Sequence, residues 1–184
     1  MTGRSRQLLI LDLDETLIYA AAEPLGRACD FQTGPYSVYK RPFLEEFLSQ
    51  CAQWFDLAVW TTSLEDYAAS IVQHIFPGDK ELSFVWARER CTRSFNSETA
   101  EQFWIKDLKK LKKQGYLLAR IIVVDDSPEK LERQYANLVR VNPFLGDPCD
   151  RELNLLKSFL EHLATVDDVR KAEKRNWKHH IQAQ

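Results

Sequence analysis

Leu8-Leu9-Ile10-Leu11-Asp12-Leu13-Asp14-Glu15-Thr16 is the stretch on which the fold turns. Four apolar residues with no polar alternation read as a strand buried on both faces, the pattern of a parallel sheet with helices over it. Three further runs show little alternation and also read as buried strands: Leu57-Ala58-Val59-Trp60, Ile121-Ile122-Val123-Val124 and Leu138-Val139-Arg140-Val141, the last with one charged residue. Three of the four end abruptly in groups that can do chemistry. These are Asp12-Leu13-Asp14, Thr61-Thr62-Ser63 and Asp125-Asp126-Ser127-Pro128. In open α/β sheets, ligands bind at the carboxyl ends of the strands.

Helical periodicity fills the intervals. Pro42 suits a first helical position, with Phe43, Leu44, Phe47, Leu48 and Cys51 on one apolar face. Ser63 suits the cap of a second helix with a stripe of Leu64, Tyr67, Ala68, Ile71 and Ile75, stopped by Pro77-Gly78. A third helix is expected from about Gln102 to Gln114, with Gly115 closing it, and a fourth carries Leu153, Leu156, Leu160 and Leu163. Strands alternating with helices predict an α/β fold: an open, mainly parallel sheet, helices on both faces and right-handed crossovers. Residues 20–40 break the alternation and read as a small hairpin insertion, with Thr33-Gly34-Pro35 turning into a strand at Tyr36-Ser37-Val38-Tyr39. The expected domain spans residues 1–169. A charged tail, 170–184, is expected to end as a solvated helix or frayed end.

With 184 residues there is room for one domain and a real core. The 45% hydrophobic and 28% charged composition excludes disordered and collagen-like chains. A net charge of −2 argues against nucleic acid as a partner. Cys29, Cys51, Cys91 and Cys149 form no CxxC pair, so neither a zinc knuckle nor a redox dithiol is expected, and free thiols in a reducing compartment are. No Cys-x5-Arg loop supports a thiol phosphatase. The apolar run after Met1–Arg6 is cut short by Asp12, so no signal peptide or membrane span is expected. The protein is expected to be soluble and cytoplasmic, or nuclear in a eukaryote, with no membrane partner. Its oligomeric state is not legible.

The chemistry starts from repulsion. Asp12 and Asp14 project to one side while the strand persists, and Asp125-Asp126 adds two more carboxylates. Carboxylates held together require a proton or a cation. An oxygen-only donor set predicts a hard ion, Mg²⁺, rather than calcium, since no regular calcium loop is present. Alone, Asp-x-Asp is more often a turn or helix cap; two acidic clusters fed by apolar strands are not. A carboxylate nucleophile, a metal, a hydroxyl, a lysine and a second carboxylic acid are the parts needed to cleave a phosphate monoester. Asp12, Asp14, Thr61, Lys106 and the Asp125-Asp126 pair supply them.

Leu9–Leu17, Lys40-Arg41-Pro42, Trp60-Thr61-Thr62-Ser63, Trp104-Ile105-Lys106-Asp107-Leu108, Val124–Pro128 and Val166-Asp167-Asp168-Val169 occur in order and at similar spacing in a known group. The chain resembles the haloacid-dehalogenase (HAD) superfamily, and within it the small phosphatases of the RNA polymerase II carboxy-terminal domain and their NLI-interacting-factor relatives. The resemblance implies Asp12 as nucleophile and Asp14 as general acid/base, with the Asp14 backbone carbonyl on the metal. It implies Thr61, Thr62, Lys106 and Arg88 as phosphate ligands, and Asp12, Asp14, Asp125 and Asp126 around Mg²⁺. The second acidic position of the fourth motif is Asn in close relatives and Asp126 here, which adds negative charge. Asp125 then holds Lys106 or a metal-bound water.

The intervals from Asp12 to Thr61 and from Thr61 to Lys106 are filled by elements already assigned, so no large cap domain is expected. An open site admits a protein segment. The resemblance points to phosphoserine or phosphothreonine in a phosphorylated protein or peptide. Alternatives are a small-molecule phosphomonoesterase or a non-catalytic docking protein of the same fold. Phe31, Tyr36 and Val38 either line a groove beside the site or only pack the hairpin.

Overall fold

The computed structural model describes residues 6–76, 81–96 and 101–182. Its centre is β1 (Gln7–Leu11), buried at every position. β1 pairs in parallel with β5 (Phe55–Trp60) on one side and with β9 (Ile121–Asp125) on the other. β6 (Val85–Trp86) extends the sheet beyond β5, and β10 (Leu138–Arg140) beyond β9, all in parallel. Side chains alternate between two cores, as the pleat requires. Leu9 and Leu11 pack with Leu57, Val59, Ile122 and Val124 on one face. Leu8 and Ile10 pack with Ala58, Trp60, Ile121 and Val123 on the other. The first face carries α1 (Leu44–Trp54), α2 (Glu65–Ile75) and α4 (Glu152–Thr165). The second is covered by Leu108, by Leu111 of the one-turn α3 (Lys109–Lys112), and by Leu131.

The insertion is a three-stranded antiparallel sheet of β2 (Ile18–Ala21), β3 (Phe31–Thr33) and β4 (Tyr36–Lys40), with β4 central. Gly34 supplies the positive φ of the expected turn (53°).

Four local expectations need correction. The helix predicted over Gln102–Gln114 is a hairpin followed by a single turn. β7 (Thr92–Asn96) pairs with β8 (Glu101–Ile105), so that Ile105, Trp104 and Phe103 face Thr92, Arg93 and Ser94. Aromatic and β-branched residues fit a pleated surface, and helix begins only at Lys109. Gly115, at φ 93°, closes it as expected. Pro42 and Phe43 form the turn before α1 rather than its first residues. Leu44 N bonds to Arg41 O, and Phe43 is exposed with φ 68°. Ser63 does not cap α2, and Leu64, at the cap position, is exposed. The Pro77-Gly78 stop lies outside the described residues.

The fourth correction concerns the tail. Trp177, which opens α5 (Trp177–Gln182), is buried against Phe159 of α4, with ring centroids 5.8 Å apart. Its indole N–H donates to Arg140 O at 2.7 Å. One aromatic side chain thus anchors a segment whose charge suggested solvent.

Arg41 ties the insertion to the loops at the sheet edge. Its side chain is fully buried and forms two 2.9 Å bonds to Asp150, from Nε to Oδ1 and from Nη2 to Oδ2. It also donates to Thr16 O at 3.0 Å and Asn142 O at 2.9 Å. Removing the cation leaves Asp150 with only the Glu152 N–H and takes the Arg41 donors from two carbonyls. Arg41→Met should cost about 3 kcal/mol in urea unfolding. Arg41→Lys should recover less than half of that, because an ammonium cannot span the same fork.

Candidate active site

The parallel register continues one residue past β1. Asp12 N donates to Val124 O at 3.1 Å, which sets Asp12 beside Asp125. On the other side, Thr61 follows β5 and is buried. The chain after Asp14 doubles back at once. Thr16 N and Leu17 N bond to Leu13 O, Glu15 takes a left-handed φ of 60°, and Phe144 N holds Glu15 O at 2.7 Å. This tight turn puts Asp12 and Asp14 at the same edge but sends their side chains to different partners.

Asp12 joins a buried ion cluster. Lys106 Nζ, fully buried, lies 2.9 Å from Asp12 Oδ1 and 2.5 Å from Asp125 Oδ2. Lys130 Nζ lies 2.6 Å from Asp12 Oδ2, 3.2 Å from Asp125 Oδ1 and 3.5 Å from Asp126 Oδ1. Asp126 also accepts hydrogen bonds from Ser127 Oγ (2.8 Å) and Thr16 Oγ1 (3.4 Å). Lys106 follows the end of β8, three residues before the start of α3, and its backbone N donates to Lys130 O at 2.7 Å. The repulsion expected to require a bound cation is met here by two ammonium groups of the chain itself. Burial would raise the Asp12 carboxyl, but Lys106 and then Lys130 outweigh it and hold it below the usual carboxylate range. Asp125 is pushed up, by burial first and by Asp12 next. Burial would lower Lys130, yet Asp12, Asp125 and Asp126 hold it above the ordinary lysine value.

Asp12, Asp125 and Asp126 are all buried and offer ligand atoms within 4.8 Å of one another. The donors are oxygens only, and all are carboxylates, which fits a hard divalent cation. The Asp14 side chain is outside this group. Ser63 Oγ donates to its Oδ2 at 2.7 Å and Tyr67 Oη to its Oδ1 at 2.5 Å. Burial raises the Asp14 carboxyl, and the Tyr67 and Ser63 hydrogen bonds temper the rise.

Asp14, Ser63 and Tyr67 line an open cavity of about 330 Å³ together with Ala20, Tyr36, Leu64 and Arg88. Tyr36 therefore meets the expectation of a groove residue. Val38 does not, being fully buried in the core, and Phe31 stacks on His74 at 4.2 Å. Arg88 donates from Nε to Thr62 O at 2.7 Å and so braces the Thr61-Thr62 segment. Thr61 Oγ1 accepts from Ser63 N at 3.1 Å, and Thr62 is half-buried. The structure thus gathers Asp12, Lys106, Asp125 and Asp126 into one cluster. Asp14 and Arg88 line the adjoining cavity, and Thr61 and Thr62 are joined to its wall through Ser63 and Arg88 without lining it.

A family model described as NLI interacting factor-like phosphatase matches residues 7–170. The chain belongs to this family. The NLI interacting factor-like assignment accords with relatives that align over most of the chain. It is 34% identical over 169 residues to the CTD small phosphatase-like protein 2 of Dictyostelium discoideum, covering 88% of this chain and 28% of that protein. It is 31% identical over 186 residues to the CTD nuclear envelope phosphatase 1 homolog of Drosophila melanogaster, covering 93% of this chain and 73% of that protein. The chain thus spans about a quarter of the first relative's length and most of the second's. The fission yeast RNA polymerase II CTD phosphatase, solved bound to beryllium fluoride, has a similar fold. Its TM-score is 0.58 at 19% identity, covering 97% of this chain and 62% of that one. The α/β, HAD-like architecture expected from the sequence is therefore the observed one.

Three contacts in this family member had no counterpart in the sequence reading. Lys130 was unassigned; its only signal is its place four residues after Asp126. Ser63 read as a cap and Tyr67 as core, yet both serve Asp14.

Lys106, like Asp125, is fully buried in the cluster. Lys106→Met leaves Asp12 and Asp125 facing each other with one cation fewer. Unfolding in urea with chelator present should show a loss of about 3 kcal/mol. Unchanged stability would mean that the ion pairs do not hold the cluster together.

Proposed function

We propose that the chain is a HAD-type phosphatase that cleaves phosphoserine or phosphothreonine in proteins through an aspartyl-phosphate on Asp12, with Mg²⁺ as cofactor. The observation that carries this reading is the division of labour between Asp12 and Asp14. One carboxylate is kept ionised among lysines. The other, two residues away, is raised by burial and held by two hydroxyls at the wall of an open cavity.

Asp12 attacks phosphorus, and the bond from phosphorus to the seryl oxygen breaks. Asp14 gives that oxygen its proton. Asp14, now a carboxylate, takes a proton from the water that attacks the phosphoryl group, and the bond to Asp12 breaks to release inorganic phosphate. Lys106, Thr61, Thr62 and Arg88 hold phosphoryl oxygens through both steps. Asp12, Asp125, Asp126 and the Asp14 backbone carbonyl would hold Mg²⁺, which neutralises charge between the approaching anions.

The cavity beside Asp14 is open, and the insertion is too small to close over it. A peptide segment can reach the site, in line with the protein phosphatases among the relatives. The four cysteines are free, which suits a cytoplasmic or nuclear setting. Among the described residues, no helix is long and apolar enough to cross a membrane.

Phosphoserine and phosphothreonine peptides should be turned over faster than sugar or nucleotide phosphates. Turnover should vanish on chelation and return with Mg²⁺. Asp12→Asn keeps the shape and loses the attacking charge, so its activity should fall at least about a thousandfold with the fold intact. Retained activity would remove Asp12 from the nucleophile's role.

Asp14→Asn separates the two steps. With p-nitrophenyl phosphate the leaving group departs without a proton, so the phospho-Asp12 form should build up and then decay slowly for want of a base. The expected trace is a burst of about one equivalent of p-nitrophenol per site before slow turnover. Equal loss of burst and steady state would assign Asp14 another role.

A further inference from the structure

Lys130 is the one charged group of the cluster with no part in the proposed chemistry. Its ammonium touches Asp12 Oδ2, Asp125 Oδ1 and Asp126 Oδ1 at 2.6, 3.2 and 3.5 Å. These are the same three carboxylates that offer a cation ligand atoms within 4.8 Å of one another. An ammonium and a divalent ion therefore seek the same oxygens.

The two lysines of the cluster differ in freedom. The Lys106 side chain is fully buried, whereas that of Lys130 is 17% exposed and sits on the solvent side. The Lys130 backbone is fixed. Its N donates to Ser127 O at 3.2 Å, its O accepts from Lys106 N at 2.7 Å, and the next residue, Leu131, is buried in the core. Only the side chain is able to leave, and its flexible four-carbon stem permits that. Charge favours the exchange. With the three carboxylates ionised, Lys106 and Lys130 leave one negative charge in excess, and one divalent ion in place of the Lys130 ammonium makes the group neutral.

We propose that Lys130 is a tethered cation that occupies the carboxylate cluster in the metal-free protein and swings out when a divalent ion binds, thereby setting the affinity of the site for that ion. This rests on the metal-dependent reading above. The ammonium stabilises the empty cluster and competes for it. Occupancy nine-tenths of the time lowers the apparent affinity about tenfold.

The test uses Mn²⁺ alone, without substrate, on chelator-stripped protein. Binding is read from the electron paramagnetic resonance signal of the free ion. Lys130→Met should bind Mn²⁺ at least about tenfold more tightly than the wild type. Lys130→Gln, which keeps a polar group in place, carries the comparison if the Met variant fails to fold without metal. A lost charge alone would also raise affinity, so displacement is read separately. Wild-type protein is pulsed with acetic anhydride at increasing Mn²⁺, and modification of Lys130 is followed by mass spectrometry. Modification should rise in step with binding. Tighter binding by the variant together with metal-dependent exposure of Lys130 supports the proposal. Equal or weaker binding by the variant, or modification that stays level or falls, overturns it while the metal site stands. Absence of Mn²⁺ binding by wild type and variants alike overturns the metal reading and this proposal with it.

Discussion

Burying carboxylates side by side at the edge of a parallel sheet is the constraint on which the other features of this protein depend. Asp12 and Asp125 end adjacent strands and are almost wholly out of solvent. Neither could remain charged there unaided. The compensating charge does not come from the sheet. Lys106 is delivered by the β7–β8 hairpin, and Lys130 by the segment that follows β9, with a backbone hydrogen bond between them. The peripheral hairpin is thus an electrostatic necessity of the central strands.

A similar logic operates across the turn that follows Asp14. Arg41 reaches from the end of β4 to Thr16 O, Asn142 O and Asp150. Two buried cation systems, one on either side of the first-motif turn, fix its shape from outside the sheet. The tightness of that turn separates Asp12 and Asp14 into distinct surroundings, and their distinct protonation behaviour follows from that separation.

The parts legible in the sequence are those set by local pattern. Mainly apolar runs mark four of the five strands of the sheet, since burial on both faces leaves little room for polar residues. The carboxylates at their ends stood out because acidic side chains rarely follow such runs directly. Non-local pairing was harder to read. Gln102–Ile105 looked helical because Leu108, Leu111 and the lysines around them continue a helical period, and nothing local marks Thr92–Asn96 as their partner. Ser63 is a sound helix cap by type, but a carboxylate from another element claims its hydroxyl. Lys130 and Trp177 sit in charged stretches where a solvated reading is the ordinary one. Asp125 and Asp126 are near Lys130 in sequence, but its contact with Asp12, and those of Trp177 with Arg140 and Phe159, join segments that no short window along the chain brings together.

The two donors on Asp14, Ser63 and Tyr67, also form the wall of the open cavity, at the start of α2. Under the proposed mechanism, the surface that greets the substrate and the clamp on the proton donor are one piece of chain. Recognition and rate cannot then drift apart freely during evolution. A substitution at Tyr67 that reshapes the cavity for a new peptide also releases the acid, and Tyr36 is packed edge-on against Tyr67 with ring centroids 6.2 Å apart, so new specificity in this protein is expected to arise first at Ala20, where the wall can change without disturbing the proton.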